Sequence, residues 1–312
     1  MMFLGAAVYL AAMLRLHIIP DAAAAVPAAL AALLLIGCSR LRNPGLEQAL
    51  RDRIAASGAE VVGVYFRDLE TGDSVTIAAD TRMHAASMMK VPVLIQLYRD
   101  RDAGRLSLDD SLTITRTFRS IVDGSPYELN QDDDSDSTLY RRIGERESIR
   151  NLAERMITWS SNLATNMLVE LVAAGRVQAT VRELGADSIA VLRGVEDIKA
   201  YRAGLNNTTT ARDLGILFTA IARGTAASDS SCREMADVLA RQEFNEGIPA
   251  GLPPGTRVAH KTGWITGIRH DGGIVYLPDG RRYVLVVLTK GIENPTAADS
   301  LITAISAAVY AR

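Results

Sequence analysis

The hydrophobic period of this chain changes twice, and that change constrains the fold more than any other feature of the sequence. An alternating apolar pattern with a period of two residues, typical of β-strands, occurs near both ends of the chain. The stretch between them, residues 86–245, has the helical period in several pieces and almost no strand pattern. The predicted strands are residues 61–69, 74–79, 257–265, 272–277 and 282–289.

These patterns predict one discontinuous α/β domain into which a helical domain is inserted. The α/β domain consists of residues 45–85 and 246–312, and the inserted all-α domain consists of residues 86–245. The five strands are expected to form an antiparallel sheet that is flanked by terminal helices over residues 46–54 and 297–311. A functional site is expected at the seam between the domains, where side chains from both can meet.

The first 38 residues have the pattern of an export signal. An apolar run over residues 22–36 is long enough for the core of a signal peptide and short for a membrane span. It ends in Leu-Ile-Gly-Cys at Cys38, which resembles the site where bacterial lipoproteins are cleaved and acylated. We expect residues 1–38 to be a signal peptide or lipoprotein signal, with an uncleaved N-terminal anchor as the alternative. The protein is predicted to be exported to the periplasm, where lipidation of Cys38 would tether it to a membrane.

Composition argues against several classes of partner. The net charge is −2, and basic and acidic residues are mixed along the chain, so no basic face favours nucleic acid. Cys38 and Cys232 lie in very different sequence surroundings, which argues against a disulfide. Cys232 is expected to be a lone structural thiol, and the protein is expected to be a monomer.

The sequence indicates neither a metal site nor a cofactor motif. Residues 131–137 carry alternating aspartates, but Ser137 and Ile143 stand where a calcium loop needs a glycine and an acidic residue. We interpret this segment as a solvated surface loop. The four histidines lack the spacing of zinc ligands. We therefore expect no metal and no cofactor.

The first chemical motif is a Ser-x-x-Lys sequence formed by Ser87 and Lys90. Three residues apart on one helix, the two side chains share a face, so a neutral amine can take the hydroxyl proton. Pro92 is typical of a first helical turn, which places Ser87 at the helix start, where free N–H groups favour a developing oxyanion. Alone the motif is weak, because it arises by chance in many chains, and a surface helix start is then the simpler interpretation.

Two later motifs change that interpretation. Ser160 and Asn162 form a Ser-x-Asn sequence where the chain is expected to turn between helices. Lys261, Thr262 and Gly263 follow on a predicted strand. The three motifs occur in the order Ser-x-x-Lys, Ser-x-Asn, Lys-Thr-Gly. Each lies on the helix, turn or strand that acyl transfer to a serine with a lysine partner requires. A Ser-His-Asp arrangement has less support, because no Gly-x-Ser-x-Gly sequence follows a strand.

With these motifs the chain resembles the class A β-lactamases and their penicillin-binding relatives, the penicillin-recognising serine enzymes. The likeness covers residues 45–312 and implies the fold predicted above, with an active site in the cleft. Ser160 and Lys261 are 101 residues apart, which matches the family interval of about a hundred. The interval of 73 residues between Ser87 and Ser160 is longer than the family norm, so we expect an insertion over residues 118–137 near the cleft mouth.

The resemblance implies catalytic roles for four residues. Ser87 would attack the lactam carbonyl, and Lys90 would activate it or hold its hydrogen-bond network. Ser160 would relay a proton to the leaving nitrogen. Glu196, which lies 36 residues after Ser160, would activate the water that hydrolyses the acyl-enzyme.

The resemblance also implies a set of substrate-binding residues. Asn162 would bind the side-chain amide of the substrate, while Lys261 and Thr262 would hold its carboxylate beside Gly263. The backbone N–H groups of the nucleophile and of Trp264 would form the oxyanion hole. The indole of Trp264 is interpreted either as cover for the sheet edge or as a stacking surface for the substrate.

Two departures from the family pattern affect this assignment. Glu196 lies three residues after Arg193 instead of two, and Ala200 stands where the family has an asparagine that helps to hold the water. The alternative is a loop carboxylate paired with Arg193 or Lys199. Ser161 replaces the aspartate that usually stands in the middle of the second motif, so part of its hydrogen-bonding role is kept and the charge is lost.

Three functions remain open at this point. The first, which we favour because the motifs are complete, is a β-lactamase that turns over. The second is a peptidase or transpeptidase that acts on peptidoglycan-like substrates, or another serine hydrolase. The third is a module that traps a β-lactam without turnover. If Glu196 is not the deacylating base, Glu183 and Asp197 are the other candidates.

Overall fold

The computed structural model of the protein describes residues 44–312. The strands in this range are β1 (Val61–Asp68), β2 (Ser74–Ile77), β3 (Met83–His84), β4 (Ser111–Thr113), β5 (Thr117–Arg119), β6 (Pro126–Glu128), β7 (Arg146–Ser148), β8 (Thr208–Thr209), β9 (Val258–Ile265), β10 (Ile268–Tyr276) and β11 (Arg282–Lys290). The helices are α1 (Pro44–Ala56), α2 (Lys90–Asp102), α3 (Ile149–Thr158), α4 (Asn162–Val172), α5 (Ala174–Glu183), α6 (Ile198–Arg202), α7 (Ala211–Ala222), α8 (Asp229–Leu239) and α9 (Pro295–Tyr310).

The five longer strands that lie near the two ends of the chain form one antiparallel sheet in the order β2-β1-β11-β10-β9. Strand β1 lies between β2 and β11, so that Tyr65 pairs with Thr76 on one side and with Val286 on the other. Strands β2 and β9 form the two edges. The predicted fold class, with its five-stranded antiparallel sheet, is confirmed.

Each face of the sheet is covered by helices, and successive strand residues alternate between two apolar cores. The core against α1 and α9 includes Leu50, Phe66, Leu285, Val287 and Ile302. The second core lies on the opposite face, between the sheet and the helices of the central segment, of which α7 is one. It includes Tyr65, Phe218, Val284, Val286 and Leu288. Because β11 is buried on both faces, its sequence is a continuous apolar run rather than an alternating one.

The segment between the two halves of the sheet is mainly helical but also contains short strands. Helices α2–α8 lie there together with two small sheets, in which β4 pairs with β7 and β5 pairs with β6. Strands of three residues are too short to show a period, which is why the sequence pattern did not indicate them. The residue ranges assigned above to the two domains stay a prediction.

The predicted export signal over residues 1–38, including Cys38, lies outside the described residues. Between residues 44 and 312 no helix is both long enough and apolar enough to cross a bilayer. Cys232, within the described range, is a buried free thiol on α8.

A glycine in α7 tests how closely this helix packs on the sheet. A Cβ atom added to Gly215 would lie 2.2 Å from the ring of Tyr65 on β1. We therefore expect Gly215→Ala to lower the free energy of unfolding by about 1–3 kcal/mol, because the ring or the helix must shift. Gly175 of α5 is the matched control, since an added Cβ meets nothing within 4 Å, and Gly175→Ala should raise that free energy by up to about 1 kcal/mol. Urea unfolding of both variants measures the difference, and equal effects would contradict the packing argument.

Candidate active site

Ser87 lies in a tight turn that leads directly into α2. The turn, Ala86–Met89, is a 3₁₀ helix, and Pro92 follows in the first turn of α2. Ala86 has a left-handed backbone conformation with φ of 45°, which is strained for a residue with a side chain. The backbone N–H of Ser87 donates to no acceptor among residues 44–312. This N–H is therefore available to an oxyanion.

Gly263 lets strand β9 approach this turn closely. A Cβ atom at Gly263 would lie 3.0 Å from the Ser87 nitrogen and 3.1 Å from the Met88 nitrogen. The missing side chain therefore allows the first and third motifs to come together, with Trp264 lining the same cavity as Ser87.

Ser160 connects the two lysines of the motifs. Its hydroxyl accepts a hydrogen bond from Lys90 Nζ and another from Lys261 Nζ, each over 3.1 Å. Lys90 Nζ also donates to the backbone oxygen of Ser160 over 2.6 Å. Both lysine side chains and Ser160 are buried, and Ser160 has a left-handed φ of 57°.

The hydroxyl of Ser87 makes no hydrogen bond to any described residue, because Lys90 donates to the second motif instead.

Burial changes the charge state of both lysines. Loss of hydration lowers the pKa of Lys90 to about 7, while the negative charges of Asp134 and Glu196 act in the opposite direction. Burial also holds the pKa of Lys261 well below its usual value, and the neighbouring charge of Lys90 lowers it further. Near neutral pH a large fraction of Lys90 is therefore a neutral amine, which a general base must be.

Asn162 links Lys90 to Glu196. Its Oδ1 accepts a hydrogen bond from Lys90 Nζ over 3.0 Å, and its Nδ2 donates to Glu196 Oε1 over 2.9 Å. Burial raises the pKa of Glu196, and the charges of Asp134 and Asp133 raise it further, although the hydrogen bond from Asn162 lowers it. A carboxyl group with a raised pKa, connected to the lysine beside the candidate nucleophile, is suited to proton transfer.

Glu196 lies on a loop that a side-chain amide clamps to α4. Asn166 Oδ1 accepts from the backbone nitrogen of Val195 over 2.6 Å, and Asn166 Nδ2 donates to the backbone oxygen of Val195 over 3.0 Å. Glu196 has a left-handed φ of 62°. The cavity in front of this loop has a volume of about 410 Å³ and is lined by Ser87, Glu196 and Trp264 among others. The candidate base and the candidate nucleophile therefore face the same space.

The basic neighbours of Glu196 in sequence are engaged elsewhere. Arg193 donates to the backbone oxygens of Gly194 and Leu205, each over 2.9 Å. Lys199 pairs with Asp123 over 3.0 Å. Neither forms an ion pair with Glu196, so the geometry does not support the alternative of a paired loop carboxylate.

The two other candidate bases hold structural positions. Glu183 on α5 is exposed and pairs with Arg99 over 2.6 Å. Asp197 is buried, and its carboxylate accepts hydrogen bonds from Ala200 N over 3.0 Å and from Ser120 Oγ over 2.9 Å. Asp197 therefore caps α6 and joins it to the segment that precedes β6.

Comparison with known protein families agrees with this geometry. The model of the beta-lactamase enzyme family matches residues 45–312 of the chain. The chain belongs to this family. The resemblance predicted from the three motifs is thereby confirmed, together with the predicted class of enzyme.

Individual members of the family are similar along most of their length. A β-lactamase of Streptomyces lavendulae is 27% identical over 277 residues, which are 86% of each of the two chains. The solved structure of PBP-A is 29% identical, with a TM-score of 0.74 over 86% of this chain and 96% of that chain. A β-lactamase structure from Sphaerobacter thermophilus is 27% identical, with a TM-score of 0.71 over 85% of this chain and 95% of that chain. A mutant of PBP-A has been solved as an acyl-enzyme complex with penicillin G.

The acidic segment before α3, interpreted above as a solvated loop, is instead partly buried and packs against the start of α4. Asp134 is 8% exposed and Asp136 is 5% exposed. The Asp134 carboxylate accepts hydrogen bonds from the backbone nitrogens of Asn162 over 3.0 Å and Leu163 over 2.8 Å. It therefore places a negative charge at the start of α4, next to Ser161, where the family usually has its own aspartate.

Two neutral histidines that no sequence motif indicates support the nucleophile turn. His84 Nδ1 accepts a hydrogen bond from the backbone nitrogen of Ala86 over 3.0 Å, and burial lowers the pKa of His84. His270 Nε2 lies 3.0 Å from the backbone oxygen of His84, and burial lowers the pKa of His270 to about 4. Both rings are therefore uncharged near neutral pH, and they hold the residues immediately before Ser87.

Arg269, which no sequence motif indicates, lies next to the strand of the third motif. A cavity of about 450 Å³ beside Trp264 is lined by Thr262 and Arg269, among others. Thr262 Oγ1 and Arg269 Nε are buried and have no hydrogen-bond partner among the described residues. Arg269 also lies 5.4 Å from the Trp264 ring and pairs with Asp299 over 2.7 Å. Arg269 pairs with Trp264 in the register of β9 and β10, and no local sequence pattern indicates this pairing.

The carboxylate of Asp134 can be tested by removing its charge. We expect Asp134→Asn to lower the free energy of unfolding by about 1–2 kcal/mol, because an amide satisfies the N–H groups at the start of α4 less well. Asp132 is an exposed residue of the same segment, and Asp132→Asn should change that free energy by less than about 0.5 kcal/mol. Urea unfolding followed by circular dichroism compares the two. Equal losses would contradict the capping role.

Proposed function

We propose that the protein is a serine β-lactamase that opens the lactam ring through an acyl-enzyme on Ser87. The observation that carries the proposal is the convergence of Lys90 and Lys261 on the Ser160 hydroxyl, next to the nucleophile turn. Family membership and the β-lactamases of Streptomyces lavendulae and Sphaerobacter thermophilus support it. The penicillin G acyl-enzyme of the PBP-A mutant supports the covalent intermediate.

In the acylation step, neutral Lys90 receives the proton of the Ser87 hydroxyl as its oxygen attacks the lactam carbonyl carbon. The carbon–nitrogen bond of the ring then breaks. Lys90 passes the proton to Ser160, over the 3.1 Å hydrogen bond between them, and Ser160 delivers a proton to the leaving nitrogen. A pKa of about 7 lets Lys90 both accept and release this proton near neutral pH.

Two groups of donors bind the substrate in this proposal. The backbone N–H groups of Ser87 and Trp264 receive the oxyanion that forms on the carbonyl oxygen. The substrate carboxylate binds Lys261 and Thr262, as the resemblance implies. Arg269 adds a guanidinium to this set, because its Nε and the Thr262 hydroxyl are both buried without partners on the same cavity. Asn162 contacts the side-chain amide of the substrate through its carboxamide.

Glu196 is the proposed base for hydrolysis of the acyl-enzyme. Its raised pKa and its place on the cavity with Ser87 suit it to activate a water molecule. The hydrogen bond from Asn162 orients the Glu196 carboxylate. Ala200 offers no side-chain donor to this water and uses its backbone N–H to bond Asp197. The water therefore has one partner fewer than the family pattern provides.

A peptidase or transpeptidase acting on peptidoglycan-like substrates is the second candidate. The likeness to PBP-A and the alanine at position 200 favour it. Such an enzyme uses the same nucleophile, lysines and oxyanion hole, so the residues of acylation do not separate the two functions. The fate of the acyl-enzyme with a β-lactam does.

We further propose that the protein acts outside the cytoplasm, in the periplasm, as a monomer. The predicted signal over residues 1–38 supports export, and the Leu-Ile-Gly-Cys sequence supports lipidation of Cys38 and a membrane tether.

Intact-mass measurements after addition of a penicillin test the catalytic roles. The wild-type chain should show a transient adduct, and Ser87→Ala should show none. Glu196→Gln should make the adduct persist, with deacylation slowed by about 100-fold or more, because an amide cannot take the water proton. Glu183→Gln is the matched control and should deacylate like the wild type, since Glu183 pairs with Arg99 away from the cavity.

The same measurement separates the alternatives. A permanent adduct on the wild-type chain would indicate the peptidase or a non-turnover trap. A chain that forms no adduct at all would contradict the assignment of the nucleophile.

The pH dependence of acylation tests the role of Lys90. The rate constant for adduct formation should rise with pH and level off above about 7, because only the neutral amine accepts a proton. The charge of Glu196 raises the pKa of Lys90, so Glu196→Gln should move this midpoint to lower pH. Stopped-flow acylation by a chromogenic cephalosporin measures both profiles. A rate constant that does not change between about pH 5 and 8 would exclude Lys90 as the base.

A further inference from the structure

A third cavity lies at the edge of the sheet opposite the cleft. Its volume is about 420 Å³, and it lies beside strand β2, whereas β9 forms the other edge. Four interstrand spacings of about 4.8 Å separate the two edges, so this cavity is roughly 19 Å from the strand of the third motif. The polar side chains that line it include Arg51, Tyr65, Arg67, Ser74, Thr76 and Arg212.

Three arginines and one carboxylate, that of Glu47, line the cavity, so it has more positive than negative charge. Arg51 pairs with Glu47 over 2.7 Å, and Arg212 pairs with Asp80. Arg67 forms no ion pair with any residue between 44 and 312, and its Nε is buried without a hydrogen-bond partner. A half-buried guanidinium without a counter-ion is costly unless a ligand or water satisfies it.

The register of the edge strands gathers hydroxyl groups around Arg67. Arg67 pairs with Ser74, and Tyr65 pairs with Thr76. Since side chains two residues apart share a face, all four point to the same side of the sheet, where α7 lies. The hydroxyls of Tyr65, Ser74 and Thr76 make no hydrogen bond to another described residue, so each has a donor to offer.

We propose that this cavity binds a phosphate group. An uncompensated guanidinium surrounded by further guanidiniums and hydroxyls is complementary to an oxyanion. The cavity offers more hydrogen-bond donors than the two oxygens of a carboxylate can accept with good geometry. A phosphate group has more acceptor oxygens. The source is either free phosphate or a phospholipid headgroup.

Calorimetric titration of the purified full-length chain with inorganic phosphate, at constant pH and ionic strength with chloride as the reference anion, tests the site. Arg67→Gln should weaken binding by at least about tenfold, because it removes the charged donor. Thr76→Val, which keeps the shape of the edge strand, should weaken it by about threefold. Arg53→Gln is the matched control: Arg53 is exposed on α1, donates only to the backbone of its own helix, and should leave affinity unchanged.

Three results would overturn the proposal: no binding to the wild-type chain, equal affinity in Arg67→Gln, or an equal loss in Arg53→Gln. The far-ultraviolet circular dichroism spectrum of Arg67→Gln should match that of the wild type, which shows that the variant folds. The phosphate site does not rest on the proposed catalytic function, so a catalytically inactive chain that still binds phosphate supports it.

A second titration distinguishes the sources of the phosphate group. Glycerophosphoglycerol, the soluble headgroup of phosphatidylglycerol, should compete with inorganic phosphate if the natural ligand is a lipid. Binding of inorganic phosphate without competition supports the site and assigns it to the free ion. If neither compound binds, the cavity is not a phosphate site.

Discussion

The active site depends on one hydroxyl group that accepts hydrogen bonds from two buried lysines. Lys90 and Lys261 both donate to Ser160 Oγ over 3.1 Å, so two amines lie within a few ångströms of one another in poorly hydrated surroundings. Two ammonium ions in this position would repel each other, and burial already disfavours each charge. One amine is therefore largely neutral before any substrate binds. The arrangement thus provides a neutral amine, as the proposed general base requires, from a residue type that is normally a cation.

The same arrangement makes folding depend on pH. The folded protein holds the proton of Lys90 only up to about pH 7, whereas the unfolded chain keeps it up to the ordinary lysine pKa of 10.5. The unfolded state therefore binds more protons between these values, so this group makes folding more favourable as pH rises through that range. Below about pH 7 Lys90 is protonated in the folded protein, so the free energy of folding includes the full cost of burying its charge. The negative charge of Asp134, which is buried at the start of α4, reduces that cost.

The sequence predicted the parts of the site that depend on local patterns. Period-two segments indicated the sheet, and Ser87 and Lys90 could be placed on one helix face because their spacing alone determines it. Asp134 and Arg269 could not be found in the same way, because their roles arise from contacts with Asn162 and Trp264, which are distant along the chain. An acidic segment has the same composition whether it is solvated or caps a helix. Only the packing of that segment against α4 distinguishes the two.

The loop of Glu196 shows why a departure from the family spacing need not displace the carboxylate. The loop is held from outside itself: Asp197 accepts from Ser120, and Lys199 pairs with Asp123, both in the segment between β5 and β6. Tyr127 on β6 adds a hydrogen bond to the loop backbone. The predicted insertion over residues 118–137 thus supports the loop instead of standing apart from it. Because these contacts position the backbone, the spacing between Glu196 and the preceding arginine can differ without displacing the carboxylate.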